Sequence, residues 1–174
     1  MRIYLAGPEV FLPDARAVGE AKQALAARHG FAGAFPLDAE LPPDWRVISA
    51  ANERLIRACG ALVANLSPFR GASADPGTCF ELGFARALGL PCFGYTARAA
   101  DLAGRIPGAL RAADGRLRDA AGMEVEEFAL ADNLMMEGAI AASGGAMVRR
   151  EARDPWRDLT PFDAVLSEMA RRLL

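Results

Sequence analysis

The sequence predicts one α/β domain, a doubly wound parallel sheet with helices on both faces, and three observations carry that expectation. Strand-like and helix-like segments alternate roughly every 25–35 residues as far as Tyr95, the rhythm of parallel βαβ units. Ala61-Leu-Val-Ala-Asn-Leu66 is a nearly unbroken apolar run, as in a buried strand. The 174 residues suit a single core, with no repeat, low-complexity tract or internal boundary, so the domain spans 1–174.

Each element has a local reason. Arg2-Ile-Tyr-Leu-Ala6 reads as the first strand, ended by Gly7-Pro8. Asp14 to Ala27 carries apolar residues at helical spacing, and His29-Gly30 follows as a C-terminal capping pair. Phe31 to Leu37 is a second strand, and Pro42-Pro43 breaks the chain before a helix from Asp44 to Cys59 capped by Asp44. After the Ala61–Leu66 strand and the turn Ser67-Pro-Phe-Arg-Gly71, a helix runs from Asp75 to Leu88, with Asp75 as N-cap and Pro76 at the first helical position. Pro91 to Tyr95 is the fourth strand. Residues 99–131 are irregular, with Met123 to Phe128 a short segment feeding the next helix. That helix, Asp132 to Ala142, is expected to be capped by Asp132 and stopped by Ser143-Gly-Gly145; a terminal helix, Thr160 to Leu174, is capped by Thr160 and opened by Pro161.

Composition narrows the function classes. The formal charge is −2, from 20 basic and 22 acidic residues, which gives no footprint for nucleic acid or a membrane surface. Lys22 is the only lysine; with abundant alanine this reflects a GC-rich genome more than a function. No apolar run reaches membrane-spanning length, and Met1-Arg-Ile-Tyr4 opens as a strand and not as a signal peptide, so a soluble, cytoplasmic protein is expected. Cys59, Cys79 and Cys92 lack metal-ligand spacing, and His29 is the only histidine, which argues against zinc sites and histidine-based triads. No metal or cofactor is expected. No Gly-rich loop with an adjacent lysine is present to cradle a triphosphate.

The chemistry-bearing segment is Ser73-Ala-Asp-Pro-Gly-Thr-Cys-Phe-Glu-Leu-Gly-Phe-Ala85. Glu81 lies just under two helical turns beyond the start at Asp75, with small Thr78 and Ala85 on its own face and Phe80, Leu82 and Phe84 beside it. Those neighbours leave little width for a solvated polar face, so the carboxylate is expected to be paired, raised in pKa or used in chemistry. Two carboxylates near the carboxyl end of a parallel strand stand where open α/β sheets bind ligands. Asp75 is already accounted for as a cap. Tyr4 reads equally well as core or as a hydroxyl that holds a carboxylate. Asn65, polar in an apolar run, needs a partner and is favoured as a site residue. Met135 and Met136 read first as core or subunit contacts.

Four blocks together resemble the nucleoside 2-deoxyribosyltransferases: Ile3-Tyr4-Leu5-Ala6-Gly7-Pro8-Glu9-Val10-Phe11, Asn65-Leu-Ser-Pro-Phe-Arg-Gly71, Asp75-Pro-Gly-Thr-Cys-Phe-Glu-Leu-Gly-Phe-Ala85 and Asp132-Asn-Leu-Met135. The resemblance implies a flavodoxin-like fold and a cofactor-free exchange of nucleobases on 2-deoxyribose. It makes Glu81 the nucleophile, Tyr4 the hydroxyl orienting it and Asp75 a residue handling the leaving base. Gly7, Pro8, Phe11 and Asn65 become substrate contacts. Asn133 and Met135 would be contributed by a neighbouring subunit near the sugar 5′-hydroxyl, so a dimer or a multiple of dimers is implied. Asn65 departs from the family, several members of which carry a second aspartate there; an amide can hydrogen-bond a base edge but cannot titrate. A hydrolase of nucleosides or nucleoside monophosphates is the alternative, with Ser67 and Arg70 as the local phosphate candidates and Asp132 expected to repel phosphate. A non-catalytic binding domain on the same scaffold is a third reading.

Overall fold

The computed structural model describes residues 1–174. In chain order the elements are β1 (Arg2–Ala6), α1 (Ala15–Arg28), β2 (Ala32–Ala34), α2 (Trp45–Arg57), β3 (Ala61–Asn65), α3 (Pro76–Ala87) and β4 (Cys92–Thr96). There follow β5 (Leu110–Arg111), β6 (Leu117–Arg118), α4 (Leu134–Ala142), β7 (Met147–Arg149) and α5 (Thr160–Leu173). Five strands form one sheet in the order β2-β1-β3-β4-β7, every pairing parallel. This is the flavodoxin-like order, which changes direction between β1 and β3 and opens a crevice beyond their carboxyl ends.

Strand alternation builds two cores. Ile3, Leu5, Val63, Phe93 and Tyr95 face α1 and α5, whose Leu25, Ala26, Phe162, Val165 and Met169 cover them. Tyr4, Ala6, Leu62, Ala64 and Cys92 face the other way, against Ile56 of α2, Leu82 and Ala85 of α3 and Ile140 of α4. The sheet is thus covered on both sides, and the central strands β1, β3 and β4 are apolar along most of their length. No helix is long and apolar enough to cross a membrane.

Several expectations are corrected. The second strand stops at Ala34 rather than Leu37, because Phe35 N–H turns to Asp38 Oδ2 (2.9 Å) and Pro36 has no donor for the ladder. The fifth strand, β7, is unforeseen: only three half-buried residues pair with Gly94–Thr96 of β4, too few for a periodic signal. Residues 99–131 form an excursion carrying the small antiparallel pair of β5 and β6. Asp132 does not cap α4. Asn133 does, accepting from Met135 N–H, while buried Asp132 accepts Ala74 N–H at 2.7 Å and ties the loop before α3 to the start of α4. Thr160 is the first helical residue of α5 and not its cap; Asp158 Oδ1 accepts the Thr160 N–H.

Gly145 shows how β7 is brought alongside β4. A Cβ built on it would lie 1.7 Å from the Cys92 carbonyl oxygen, so only glycine allows this turn to press against the sheet. Gly145→Ala is expected to destabilise the fold by about 2–4 kcal/mol, read as a lowered urea midpoint at unchanged m-value; a midpoint equal to that of the native sequence would refute the close approach.

Candidate active site

At the crevice between β1 and β3 the chain encloses a cavity of about 290 Å3, lined by Gly7, Val10 and Phe11 after β1, Pro36 and Leu37 after β2, Ile48 and Asn52 of α2, and Asp75, Gly77, Thr78 and Glu81. The two carboxylates singled out in the sequence therefore share one wall.

Glu81 is positioned by α3, which Pro76 and the Asp75 cap start at the crevice. One carboxylate oxygen, Oε1, accepts from Tyr4 Oη at 2.5 Å; Oε2 has no protein partner. Burial pushes the Glu81 carboxyl from 4.5 up to about 7; the Tyr4 hydrogen bond opposes this, and the Asp75 charge adds to it. Tyr4 is fully buried on β1, and burial first, then the Glu81 charge, drives its phenol far above its ordinary value. It is therefore held as a permanent donor to the carboxylate. Across the cavity wall, Asp75 Oδ2 accepts from both the backbone N–H and the hydroxyl of Thr78, leaving Oδ1 without a protein partner.

The flanks of Glu81 are less enclosing than the sequence implies. Leu82 is buried, but Phe80 is 58% exposed and stacks on Phe84, so α3 has an apolar outer face with Glu81 at its border. Cys79 is no rival nucleophile: burial raises its thiol to about 11, with Asp132 and Asp75 adding to the effect.

Not every predicted contact reaches the cavity wall. Gly7 and Phe11 line it, whereas Pro8 is buried in the turn behind. Asn65 is buried beneath it. Its Nδ2 donates to Glu9 Oε1 at 2.9 Å and its Oδ1 accepts from Ser67 N–H and Oγ–H. Ser67 is consequently unavailable to a phosphate, since its Oγ also accepts from Ala97 N–H. Asp132 is turned inward and does not face the cavity. Asn133 and Met135 lie outside the wall: Asn133 is held between Met135 N–H and Glu126, and Met135 is 66% exposed.

The sequence reading passed over a buried charged cluster. Glu9 Oε1 accepts from Lys22 Nζ (2.7 Å), Asn65 Nδ2 (2.9 Å) and Tyr95 Oη (3.0 Å), and Lys22 also sits over the rings of Tyr95 and Phe162. The only lysine, placed within an apolar helix, was the available signal. Asn52 was missed as well: it lines the cavity from α2, and no pattern distinguishes it from a surface asparagine. Nowhere does the chain gather three or more metal-ligating side chains.

The sequence family described as nucleoside 2-deoxyribosyltransferase matches residues 3–135. The solved 2-desoxiribosyltransferase from Leishmania mexicana is 30% identical, superposes with a TM-score of 0.73, and is covered over 99% of both chains. An uncharacterized protein of Schizosaccharomyces pombe is 29% identical over 165 residues, covering 82% of this chain and 78% of that one.

Two consequences are measurable. Lys22→Met leaves the Glu9 carboxylate buried and unpaired, and should cost about 3–5 kcal/mol in chemical denaturation; a loss under 1 kcal/mol would mean the pair is not buried in solution. Because the folded state holds the Glu81 proton to about pH 7 and the unfolded chain releases it near 4.5, native stability falls as pH rises through that window. Glu81→Gln lacks this loss, so its stability relative to the unsubstituted protein should improve between pH 4.5 and 7.5, by at most about 3 kcal/mol. Parallel pH–stability curves would place the carboxyl at its ordinary value.

Proposed function

Since the chain belongs to the nucleoside 2-deoxyribosyltransferase family and is an enzyme of that type, we propose that it moves a 2-deoxyribosyl group between nucleobases through a covalent intermediate on Glu81. The observation that carries this reading is the pairing of Tyr4 Oη with one oxygen of a half-buried Glu81, the other oxygen being free, on the cavity wall that also holds Asp75.

The steps balance on these groups. Glu81 Oε2 attacks the anomeric carbon as the C–N bond breaks, and the bonding pair leaves with the base nitrogen. The transition state is cationic at the sugar, where a nearby carboxylate is most stabilising. Asp75, through its free Oδ1, hydrogen-bonds or protonates the departing base. A second base then attacks the same carbon through a ring nitrogen and gives up its N–H proton to Asp75 as the bond to the carboxylate breaks, which restores the original configuration and both side chains, so the kinetics are ping-pong. Tyr4 holds the carboxylate in line and donates throughout. Gly7 and Phe11 contact the substrate directly; Pro8 and Asn65 support the floor.

Asn133 and Met135 belong, on this reading, to the site of a neighbouring subunit in a homodimer or a multiple of it. Their place outside their own cavity and the exposure of Met135 support the assignment. Salvage of nucleosides in the cytoplasm is the physiological setting we propose, with free nucleosides and nucleobases as partners. Water in place of the second base would make the same site a hydrolase.

Incubation of 2′-deoxyinosine with adenine should yield 2′-deoxyadenosine only when the acceptor is present; hypoxanthine release with no new nucleoside would make the protein a hydrolase. Glu81→Ala should lower transfer by at least about 1,000-fold while the fold persists, and a variant with near-native turnover would remove Glu81 as nucleophile. Single-turnover base release should fall on the acid side of about pH 7 with a one-proton slope, as Glu81 loses its charge; a flat profile from pH 5 to 8 would contradict this. Mixing Glu81→Ala with Asn133→Ala, each inactive alone, should restore activity if sites are shared between subunits, and no recovery would assign each site to one chain.

A further inference from the structure

Beyond the cavity, on the far side of Asp75, a second concavity runs along the loop from Phe69 to Pro76, and Asp75 lines both. Its distinctive residue is Arg70. Arg70 and Ala129 are the two non-glycine residues with positive φ, at 55° in each case, a left-handed backbone that costs a side-chain-bearing residue about 1–2 kcal/mol. The conformation lays the guanidinium on the Phe69 ring (4.7 Å to the centroid) and beside Phe11 (5.3 Å). Phe11 and Phe69 are themselves stacked at 5.4 Å, with Trp156 edge-on behind Phe69. Phe11 lines the substrate cavity, so the stack places Arg70 at its rim.

Arg70 makes no hydrogen bond or ion pair with the rest of the chain. Stacking satisfies the face of a guanidinium but leaves its in-plane N–H groups free, a fork that matches two adjacent acceptors. We propose that Arg70 is a specificity-determining residue that reads the O6 carbonyl oxygen and the N7 ring nitrogen of a 6-oxopurine. This rests on the reading above that Asp75 handles the base and Phe11 contacts the substrate, which puts the base on the side of the cavity that these two residues line. Hypoxanthine and guanine offer two acceptors on that edge, whereas adenine replaces one with an amino donor that opposes an arginine N–H. A phosphate suits the place less well, since the Asp75 carboxylate shares the concavity and Ser67, the other local candidate, is engaged.

The test compares single-turnover base release from 2′-deoxyinosine and 2′-deoxyadenosine by the full chain and by Arg70→Gln and Arg70→Lys. This reads the same step whether water or a second base completes the reaction. The unsubstituted protein should favour 2′-deoxyinosine by about 10-fold or more, the scale of one bidentate contact. Arg70→Gln should bring the ratio near one, mainly through substrate affinity, and Arg70→Lys should recover only part of it because an ammonium lacks the fork. A ratio that Arg70→Gln does not move, or a native preference for adenine, overturns the proposal. Selective loss of 2′-deoxyinosine 5′-monophosphate over 2′-deoxyinosine would also overturn it, by assigning the guanidinium to phosphate. Should the native chain release no base from any nucleoside, the proposed activity fails instead; calorimetric binding of hypoxanthine and adenine to the same three proteins then decides the role of Arg70.

Discussion

A carboxylate sunk beneath the carboxyl edge of the sheet ties the turn after β1 to α1, β3 and β4. Glu9, 1% exposed, lies in the turn after β1; its three donors come from α1, the end of β3 and β4. All three converge on Oε1, while Oε2 is left without a partner and fills the space where a Cβ of residue 7 would stand, 2.0 Å away. Gly7 is therefore a glycine because Glu9 is there. An ion pair of this kind adds little net stability, since desolvating both charges offsets their attraction. What it adds is position: the turn carrying Gly7, Val10 and Phe11 into the cavity cannot shift without exposing or orphaning a buried charge.

The other face of the same strand bears the second constraint. One residue's alternation along β1 separates Leu5, packed against the α1 and α5 side, from Tyr4, whose phenol passes through the opposite core to meet Glu81. The two polar contacts thus meet the sheet from opposite sides at its switch point. Glu9 fixes the loop beyond the strand, and Tyr4 fixes the carboxylate on α3. Small residues are what permit this: Ala64 and Ala85 in that core leave room for a tyrosine ring beneath the crevice.

How much of this could be read beforehand depended on range. The helices opening at Asp44 and Asp75 were legible because capping is local, and the structure shows both side chains accepting the expected N–H groups. The Tyr4–Glu81 contact spans 77 positions; the residues gave Tyr4 equally as core or as a hydroxyl holding a carboxylate, and the family resemblance named Glu81 as that carboxylate. Asp132 misled because an acidic residue before a helix looks like a cap, and only the fold reveals that Ala74, 58 positions away, claims its oxygen. Asn65 was correctly read as needing a partner, but the partner was a glutamate below the cavity and not a ligand within it. β7 went unseen because pairing with β4 makes it a strand, whereas its own three residues carry no period.

In the mechanism proposed above Glu81 must both attack and depart, and its raised affinity for its proton bears on each step. In a double displacement the carboxylate attacks in one step and is expelled in the next. A strongly acidic carboxyl leaves well but attacks weakly, and a weakly acidic one does the reverse. A value raised from 4.5 to about 7 favours attack over departure relative to an ordinary carboxyl. Its cause is as important as its size. Burial, the largest contribution, penalises the anion when the cavity holds no positive charge, and a sugar gaining cationic character beside it relieves that penalty. The same desolvation that costs the folded state stability therefore acts more weakly in the transition state than in the ground state. Tyr4 limits the effect, because its hydrogen bond lowers the Glu81 pKa and keeps the carboxylate populated at neutral pH.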